Sequence, residues 1–262
     1  MKILVCITDY ATSQRDFLYD QLRMLKAVKL LGWQIDIFLF HTDPIVFPLD
    51  ISDQNIYLFA RSRNMGDMLT WEHRKEMVLN KDNYDIFIYT ENDLAITSAH
   101  LQRFVEQSLN LPMPYVAGFI HYENGPHQEK MLMPLNKKFT CFESDPVNSI
   151  NGKRYLMLSN KHQASYIVTR QQLNFMIDAK RYSIEPRVHM YGSQYYHFKE
   201  TSASEPYTDG GLIKVVDLEN IDDFLIHHMP NHYVKNAVSD IFNHPFYSVS
   251  EIKQMFGLIP QH

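Results

Sequence analysis

The chain contains 262 residues, which is enough for one large domain or two small ones. Hydrophobic residues make up 45% of the chain and charged residues 21%, as in an ordinary globular protein. The formal net charge of −5 argues against a nucleic-acid-binding protein, because such proteins usually carry a basic face.

The cysteine content and the N-terminal segment bear on the compartment. Two cysteines, Cys6 and Cys141, are too few for a disulfide framework and favour a reducing environment. The apolar run after Met1 is too short for a signal peptide, and no apolar run approaches the roughly 20 residues of a transmembrane helix. We therefore expect a cytoplasmic protein without a transmembrane segment, with peripheral membrane association left open.

Strands and helices alternate in the first half of the chain. Ser13 is the predicted cap of the first helix, and Gly32 is its predicted end. The alternation predicts a parallel sheet with right-handed crossovers, which is a Rossmann-type, nucleotide-binding arrangement. Predicted strands cover residues 2–8, 33–40, 56–59 and 84–89, and helical sequence covers about 13–31, 67–79 and the residues from Ser98 onward.

The second half is richer in strands and turns. Predicted strands or extended segments cover residues 115–122, 130–142, 155–158, 164–168, 212–216 and 223–228. Predicted helices cover 170–178 and 248–256, and a loop is predicted at 202–211. Because the sequence contains no linker and no repeat, we predict a single α/β domain over residues 1–262, with a nucleotide-binding half at about 1–120 and a second lobe at about 121–262.

Two acids directly follow the predicted strand at residues 84–89. Glu91 and Asp93 are spaced i, i+2, so both side chains point the same way in extended chain. Ligands of open α/β sheets bind outside the carboxyl ends of the strands, and Mg²⁺ is typically held by one or two carboxylates plus substrate phosphates. The pair therefore indicates a divalent-cation site, although an acid that caps the following helix would give the same pattern.

The segment Glu91-Asn92-Asp93, at the end of an interior strand, resembles the Asp-any-Asp motif of GT-A glycosyltransferases, with Glu in the first place. The resemblance covers residues 1–120 and a C-terminal histidine cluster. It implies a GT-A-like fold and a hexosyltransferase that moves sugar from a nucleotide-sugar donor, such as a UDP- or GDP-sugar, to a glycan or lipid-linked acceptor bound by the second lobe. Asp93 would bind Mn²⁺ or Mg²⁺, Glu91 would help to hold the metal or the ribose, and Asn92 would lie against the donor.

The same resemblance assigns roles to residues at the ends of other strands. Thr8, Asp9 and Tyr10 would bind the nucleoside, with the aromatic ring available for stacking on the base, although a simple strand-to-loop transition explains them equally well. Arg61 and Arg74 would offer bidentate donors to the diphosphate, against the alternative of solvated surface charge.

Paired histidines end the predicted strand at residues 223–228. The resemblance implies a third metal ligand from this region, and it falls on His227 or His228. Adjacent residues of a strand face opposite sides, so one of the two is expected to reach the metal, and we choose His228. A structural role for both histidines is the alternative.

A carboxylate is needed if the transfer inverts the configuration at the anomeric carbon of the sugar. In that case a base must accept the proton of the attacking acceptor hydroxyl. Asp209, which precedes a Gly pair, is our candidate, with Glu205 and Glu200 as alternatives. An acid before Gly-Gly is also common in ordinary turns. The sequence leaves the stereochemistry open.

Two other functions combine similar features. A nucleotidyltransferase acting on sugar phosphates would also join an α/β sheet, acids and a divalent metal, but it would usually open with a glycine- and arginine-rich loop, which residues 10–14 do not form. A non-catalytic sugar-binding domain is the second alternative, and the presence of Glu91, Asp93 and the histidines argues against it.

Overall fold

The protein is described by a computed structural model that covers residues 1–10, 12–132, 147–157, 161–191, 194–236 and 247–258. Its strands are β1 (Lys2–Asp9), β2 (Gln34–His41), β3 (Asn55–Ala60), β4 (Ile86–Glu91), β5 (Tyr115–Ala117), β6 (Ile120–Asn124), β7 (Lys130–Leu132), β8 (Val147–Ile150), β9 (Lys153–Met157), β10 (Ser165–Thr169), β11 (His189–Tyr191), β12 (Gln194–Tyr196), β13 (Ile213–Asp217), β14 (Leu225–His227) and β15 (Tyr247–Ser248). Its α-helices are α1 (Arg15–Lys26), α2 (Glu72–Leu79), α3 (Ser98–Ser108), α4 (Arg170–Asp178), α5 (Phe198–Ser204), α6 (His232–Asn236) and α7 (Val249–Met255).

The central sheet has the strand order β10-β4-β1-β2-β3. Strands β1 to β4 are parallel, and β10 closes one edge in the antiparallel direction. Residues 3–7 of β1 are fully buried, which fits a strand covered on both faces and explains its unbroken apolar run. This order confirms the predicted α/β class with a Rossmann-type sheet.

The second half of the chain builds two smaller four-stranded sheets and a hairpin. One sheet has the order β5-β13-β9-β8, the other β14-β6-β7-β15, and β11 pairs only with β12 among the described strands. Buried apolar side chains from all three larger sheets form one continuous hydrophobic cluster. No helix among the described residues is long and apolar enough to cross a lipid bilayer.

Two predictions in the second half are wrong. Residues 115–122 do not form one strand, because the chain leaves one sheet after β5 and enters another at β6. At the break, a Cβ on Gly118 would collide with the buried side chain of Lys214, so glycine allows the close approach. Residues 202–211 are not simply a loop: α5 runs to Ser204 and a 3₁₀ turn follows at Glu205–Tyr207.

The close packing of α5 depends on its small side chains. The residues from Thr201 to Ser204 are buried, so this helix lies close to the 3₁₀ helix at Arg63–Trp71. The indole nitrogen of Trp71 donates to the carbonyl of Phe198 over 2.8 Å and fixes the contact. This placement brings the first turn of α5 towards the end of β4.

The remaining predictions differ mainly at element ends. Helix α1 begins at Arg15 without a side-chain cap, so the predicted capping by Ser13 is wrong, whereas Gly32 has a positive φ of 72° and ends the following 3₁₀ turn. Residues 67–79 divide between the 3₁₀ helix at Arg63–Trp71 and α2. The predicted helices at 170–178 and 248–256 are confirmed as α4 and α7. Of the predicted segment 130–142, residues 133–142 lie outside the described residues.

Candidate active site at the carboxyl edge of the central sheet

Strands β1 and β4 are neighbours and end at the same edge of the sheet, where Thr8 pairs in register with Glu91. The sequence-predicted residues at these two strand ends are therefore close together. A cleft of about 350 Å³ lies beside them, lined by Thr8, Tyr10, Ser13, Gln14, Gly66, Asp67, Leu69, Thr70, Glu91, Asn92 and Lys199. Larger surface pockets lie near Met1 and Asp85, at the opposite, amino end of the strands and away from these polar groups.

Two buried polar side chains hold the turn that carries the acids. The side-chain amide of Gln21, on α1, donates to the carbonyls of Glu91 and Leu94 over 3.1 and 2.9 Å. The amide of Asn92 donates to Oδ1 of Asp9 over 2.7 Å. These bonds fix the backbone from the end of β4 to Leu94.

Asp9 faces away from the cleft. Its carboxylate is fully buried between Asn92 and Arg15, whose guanidinium lies 3.0 Å from Oδ2. Burial raises the pKa of Asp9, while Arg15 and Asn92 oppose this rise. Of the three residues predicted to bind the nucleoside, Thr8 and Tyr10 line the cleft, and Asp9 instead supports Asn92.

Glu91 is paired with Lys199 of α5. The ammonium nitrogen lies 2.9 Å from Oε2 of Glu91, whereas the buried Oε1 accepts no hydrogen bond from any described residue. Burial raises the pKa of Glu91 to about 7, with Lys199 opposing the rise and the charge of Asp93 adding to it. The negative charge of Glu91 in turn raises the pKa of Lys199.

Backbone pairing places the C-terminal histidine pair beside the acidic turn. Leu94 forms an antiparallel bridge with His228, and the amide of Met229 donates to the carbonyl of Asp93 over 2.9 Å. Nε2 of His228 consequently lies 3.4 Å from Oδ2 of Asp93. The other carboxylate oxygen, Oδ1 of Asp93, is buried and accepts no hydrogen bond among the described residues.

His228 lies between two carboxylates. Its Nδ1 donates to Oε1 of Glu123 over 2.6 Å, and Oε2 of Glu123 accepts the backbone amide of Val234 over 2.7 Å. Burial alone would lower the pKa of His228, but Asp93 and Glu123 outweigh it and raise the pKa to about 9. Burial works against ionisation of Glu123, yet the bonds from His228 and Val234 keep its pKa below the usual value.

His227 points elsewhere. Its ring stacks on Tyr122, with centroids 5.0 Å apart, and its Nε2 lies 3.0 Å from the side-chain oxygen of Asn231. The two histidines thus face opposite sides of the chain, as expected for adjacent strand residues. His228 is the one that faces Asp93.

The donor set suits a hard divalent cation. Carboxylate oxygens without hydrogen-bond partners on Glu91 and Asp93 are suitable ligands, and a histidine whose other nitrogen is held by a carboxylate is the usual arrangement around a metal. Among the described residues, however, no three Asp, Glu, His or Cys side chains are drawn together into a metal-holding group. Glu91 is engaged with Lys199 through Oε2, so a cation held by both oxygens of this acid would replace the ammonium group.

The two predicted diphosphate-binding arginines do not line the cleft. Arg74 is fully buried and donates to Glu205 and to the carbonyls of Ser183 and Ser202, the latter two over 3.0 and 2.7 Å. Arg61 donates to Glu72 over 2.6 Å. Both guanidinium groups therefore have structural partners in this structure.

The predicted base, Asp209, lies in a separate polar cluster. Its Oδ2 is 2.7 Å from the guanidinium of Arg187 and 3.2 Å from Nδ1 of His189. Of the two alternatives, Glu205 is buried against Arg74 and Arg187, and Glu200 lies in the first turn of α5. Asp209 is the most exposed of the ion-paired carboxylates in this cluster, at 34% of its side chain.

Three residues of the site were not singled out from the sequence. Gln21 and Glu123 are buried, but α1 and β6 carry several other polar residues, so the sequence gives no signal that marks these two. Lys199 lies in a segment of mixed composition and gives no such signal. Its role follows only from the packing of α5.

No protein-family model and no curated protein sequence matches this chain. Solved structures of similar fold include the 4-diphosphocytidyl-2C-methyl-D-erythritol synthase of Anaerococcus prevotii, at 12% identity and a TM-score of 0.34, over 69% of this chain and 75% of that chain. They also include S. aureus TarS 1-349, at 9% identity and a TM-score of 0.45, over 87% of this chain and 58% of that chain. Both similarities concern the fold alone, and this chain matches little more than half of the TarS chain.

Proposed function

We propose that the chain is a metal-dependent glycosyltransferase that moves a sugar from a nucleotide-sugar donor to a hydroxyl acceptor. The observation that carries the proposal is that Glu91 lines a cleft at the carboxyl edge of the parallel sheet, two residues before Asp93, whose Oδ2 lies 3.4 Å from Nε2 of His228. This edge is where ligands of open α/β sheets bind. The cleft also offers an exposed aromatic ring, Tyr10, beside Thr8.

Each group at the edge has a role in this proposal. Tyr10 stacks on the base of a UDP- or GDP-sugar and Thr8 contacts the nucleoside, while Asn92 lies against the donor. Asp9 acts as a positioning residue, because its carboxylate holds Asn92 and is itself closed off from the cleft.

Asp93, Glu91 and His228 are the residues that would hold Mn²⁺ or Mg²⁺, with Glu123 orienting His228. When bound, the cation supplies positive charge to the diphosphate that leaves with the nucleoside. On binding the cation, His228 would lose the proton on its coordinating nitrogen, because a histidine ligand is neutral at that nitrogen.

The acceptor, a glycan or a lipid-linked saccharide, would approach from the lobe built by residues 121–262. Asp209 is the candidate proton acceptor for an inverting transfer, held in place by Arg187 and His189. Replacement by Asn keeps the size of this side chain and removes its basicity. A large loss of turnover in Asp209→Asn with an unchanged donor affinity is the expected result for a general base.

The test is a release assay with UDP- and GDP-hexoses, Mn²⁺ and simple glycan acceptors, in which the freed nucleoside diphosphate is measured. The wild-type protein should release nucleoside diphosphate from one donor class, and Asp93→Asn should nearly abolish the release while the melting curve stays cooperative. Release of pyrophosphate from a nucleoside triphosphate and a sugar 1-phosphate, with no activity on nucleotide sugars, would instead identify a nucleotidyltransferase.

A further inference from the structure

Lys199 is the one lysine or arginine among the described residues that line the cleft. Its side chain reaches from the first turn of α5 to Glu91, with 2.9 Å between Nζ and Oε2. The lysine side chain is 46% exposed, whereas the side chain of Glu91 is 13% exposed. The pair links α5 to the end of β4.

The cleft has a shortage of positive charge for an anionic ligand. Its lining includes two acids, Asp67 and Glu91, against the single ammonium group of Lys199. Arg15, Arg61 and Arg63 do not line the cleft, and each is, like Lys199, paired with a carboxylate: Arg15 with Asp9, Arg61 with Glu72 and Arg63 with Asp43. Among the described residues, Lys199 is therefore the cation that a diphosphate meets on entering this space.

A lysine side chain is suited to a change of partner. Its ammonium group carries three donors on a flexible four-carbon stem, and here almost half of the side chain is in solvent. A diphosphate carries more negative charge than one carboxylate and competes well for the ammonium group. When Lys199 moves away, Glu91 is left buried and needs another cation, which its unpartnered Oε1 is placed to accept.

We propose that Lys199 binds the donor diphosphate and that its ion pair with Glu91 is the resting contact of the empty cleft. Diphosphate then takes Lys199 from Glu91, and the divalent cation replaces Lys199 on Glu91. Nucleotide and cation binding are coupled through this exchange. The proposal rests on the proposed nucleotide-dependent function, because it assigns the part of the donor that Lys199 touches.

The test measures the affinity for UDP and GDP by calorimetry in EDTA, so that no divalent cation contributes. Lys199→Met should weaken binding of the preferred diphosphate about tenfold, as expected for a lost charge-assisted hydrogen bond, and should leave binding of the parent nucleoside unchanged. Lys75→Met, which removes an exposed lysine of α2, is the matched control and should bind as the wild type does. Lys199→Arg should stay within a few-fold of the wild type.

Glu91→Gln should change the affinity for the diphosphate in the opposite direction. Without the carboxylate, Lys199 is free for the diphosphate, so this variant should bind UDP or GDP more tightly than the wild type in EDTA. The double variant Glu91→Gln with Lys199→Met leaves no unpaired charge at the pair, which protects the fold, and should bind as weakly as Lys199→Met alone.

Two outcomes overturn the proposal, and they are distinguishable. If the wild type binds a nucleoside diphosphate and Lys199→Met binds it equally well, or if Glu91→Gln brings no gain, the exchange is wrong while the nucleotide site stands. If the wild type binds neither UDP nor GDP, with or without Mn²⁺, the proposed function fails and the role of Lys199 fails with it.

Discussion

Nδ1 of His228 lies 2.6 Å from Oε1 of Glu123, a residue 105 positions earlier in the chain. The second oxygen of Glu123 accepts the amide of Val234, so the carboxylate cannot turn away. The imidazole ring is therefore fixed with Nε2 towards Asp93. Glu123 acts on the proposed metal site only through His228, which makes it a positioning residue.

Glu123→Gln should weaken the response to metal without removing a ligand. Outer partners of metal-bound histidines typically contribute about 10–100-fold in metal affinity or activity. The Mn²⁺ concentration that gives half-maximal rate should therefore rise by about this factor, while the affinity for nucleoside diphosphate in EDTA stays unchanged. An unchanged Mn²⁺ requirement would show that the orientation of His228 does not matter for the cation.

The charge of His228 should make stability depend on pH in metal-free buffer. Its pKa is raised to about 9, so the stabilisation is complete below the unfolded pKa of about 6.5 and is lost as the pH rises through about 9. The free energy of unfolding of the wild type, relative to His228→Gln, should fall by on the order of 3 kcal/mol between about pH 6 and about pH 9.5. Urea denaturation at both pH values measures this difference, and parallel pH profiles of the two proteins would contradict it.

The histidine pair provides a matched comparison. His228→Ala removes the side chain that faces Asp93, whereas His227→Ala removes a ring that stacks on Tyr122. We expect only His228→Ala to raise the Mn²⁺ concentration for half-maximal rate. If only His227→Ala raised it, the assignment within the pair would be reversed, and no effect in either variant would make both histidines structural.

Arg74 should matter for stability rather than for donor binding. It is fully buried, and among the described residues its removal would leave the buried carboxylate of Glu205 with Arg187 as its ionic partner. Arg74→Met should lower the free energy of unfolding by about 3 kcal/mol, in the range typical of broken buried pairs. Arg61→Met, at a partly exposed pair, should cost less than about 1 kcal/mol. Equal losses in the two variants would contradict the stronger role of the buried pair, and a normally stable Arg74→Met with weaker diphosphate binding would return Arg74 to the donor site.

The central sheet could be predicted from the sequence because its strands are buried on both faces. The residues of β1 from Ile3 to Ile7 are fully buried and therefore form an unbroken apolar run, and the same holds for β4 up to its polar end. Helix α4 was predicted at its observed bounds, and the structure shows that the side chain of Thr169 caps its first turn. Local signals were sufficient at these places.

Local sequence signals were insufficient where tertiary contacts determine the ends of an element or the burial of a side chain. The break between β5 and β6 depends on Lys214 lying against Gly118, and α5 depends on small residues packed against the 3₁₀ helix at Arg63–Trp71. Arg74 has the sequence context of a surface cation, and only its distant partner Glu205 explains its burial. For the same reason Lys199 could not be predicted, since Glu91 becomes its partner only through the fold.

The most direct test of the account is the thermal stability of the protein with nucleoside diphosphates, measured with Mn²⁺ and with EDTA. At about 100 times its dissociation constant, a ligand of the native state adds about 2.7 kcal/mol of stability. We predict that UDP or GDP raises the melting temperature more with Mn²⁺ than with EDTA, and that Asp93→Asn removes this difference. Equal stabilisation in both buffers, or none by either nucleotide, would contradict a metal-assisted nucleotide site at Glu91 and Asp93.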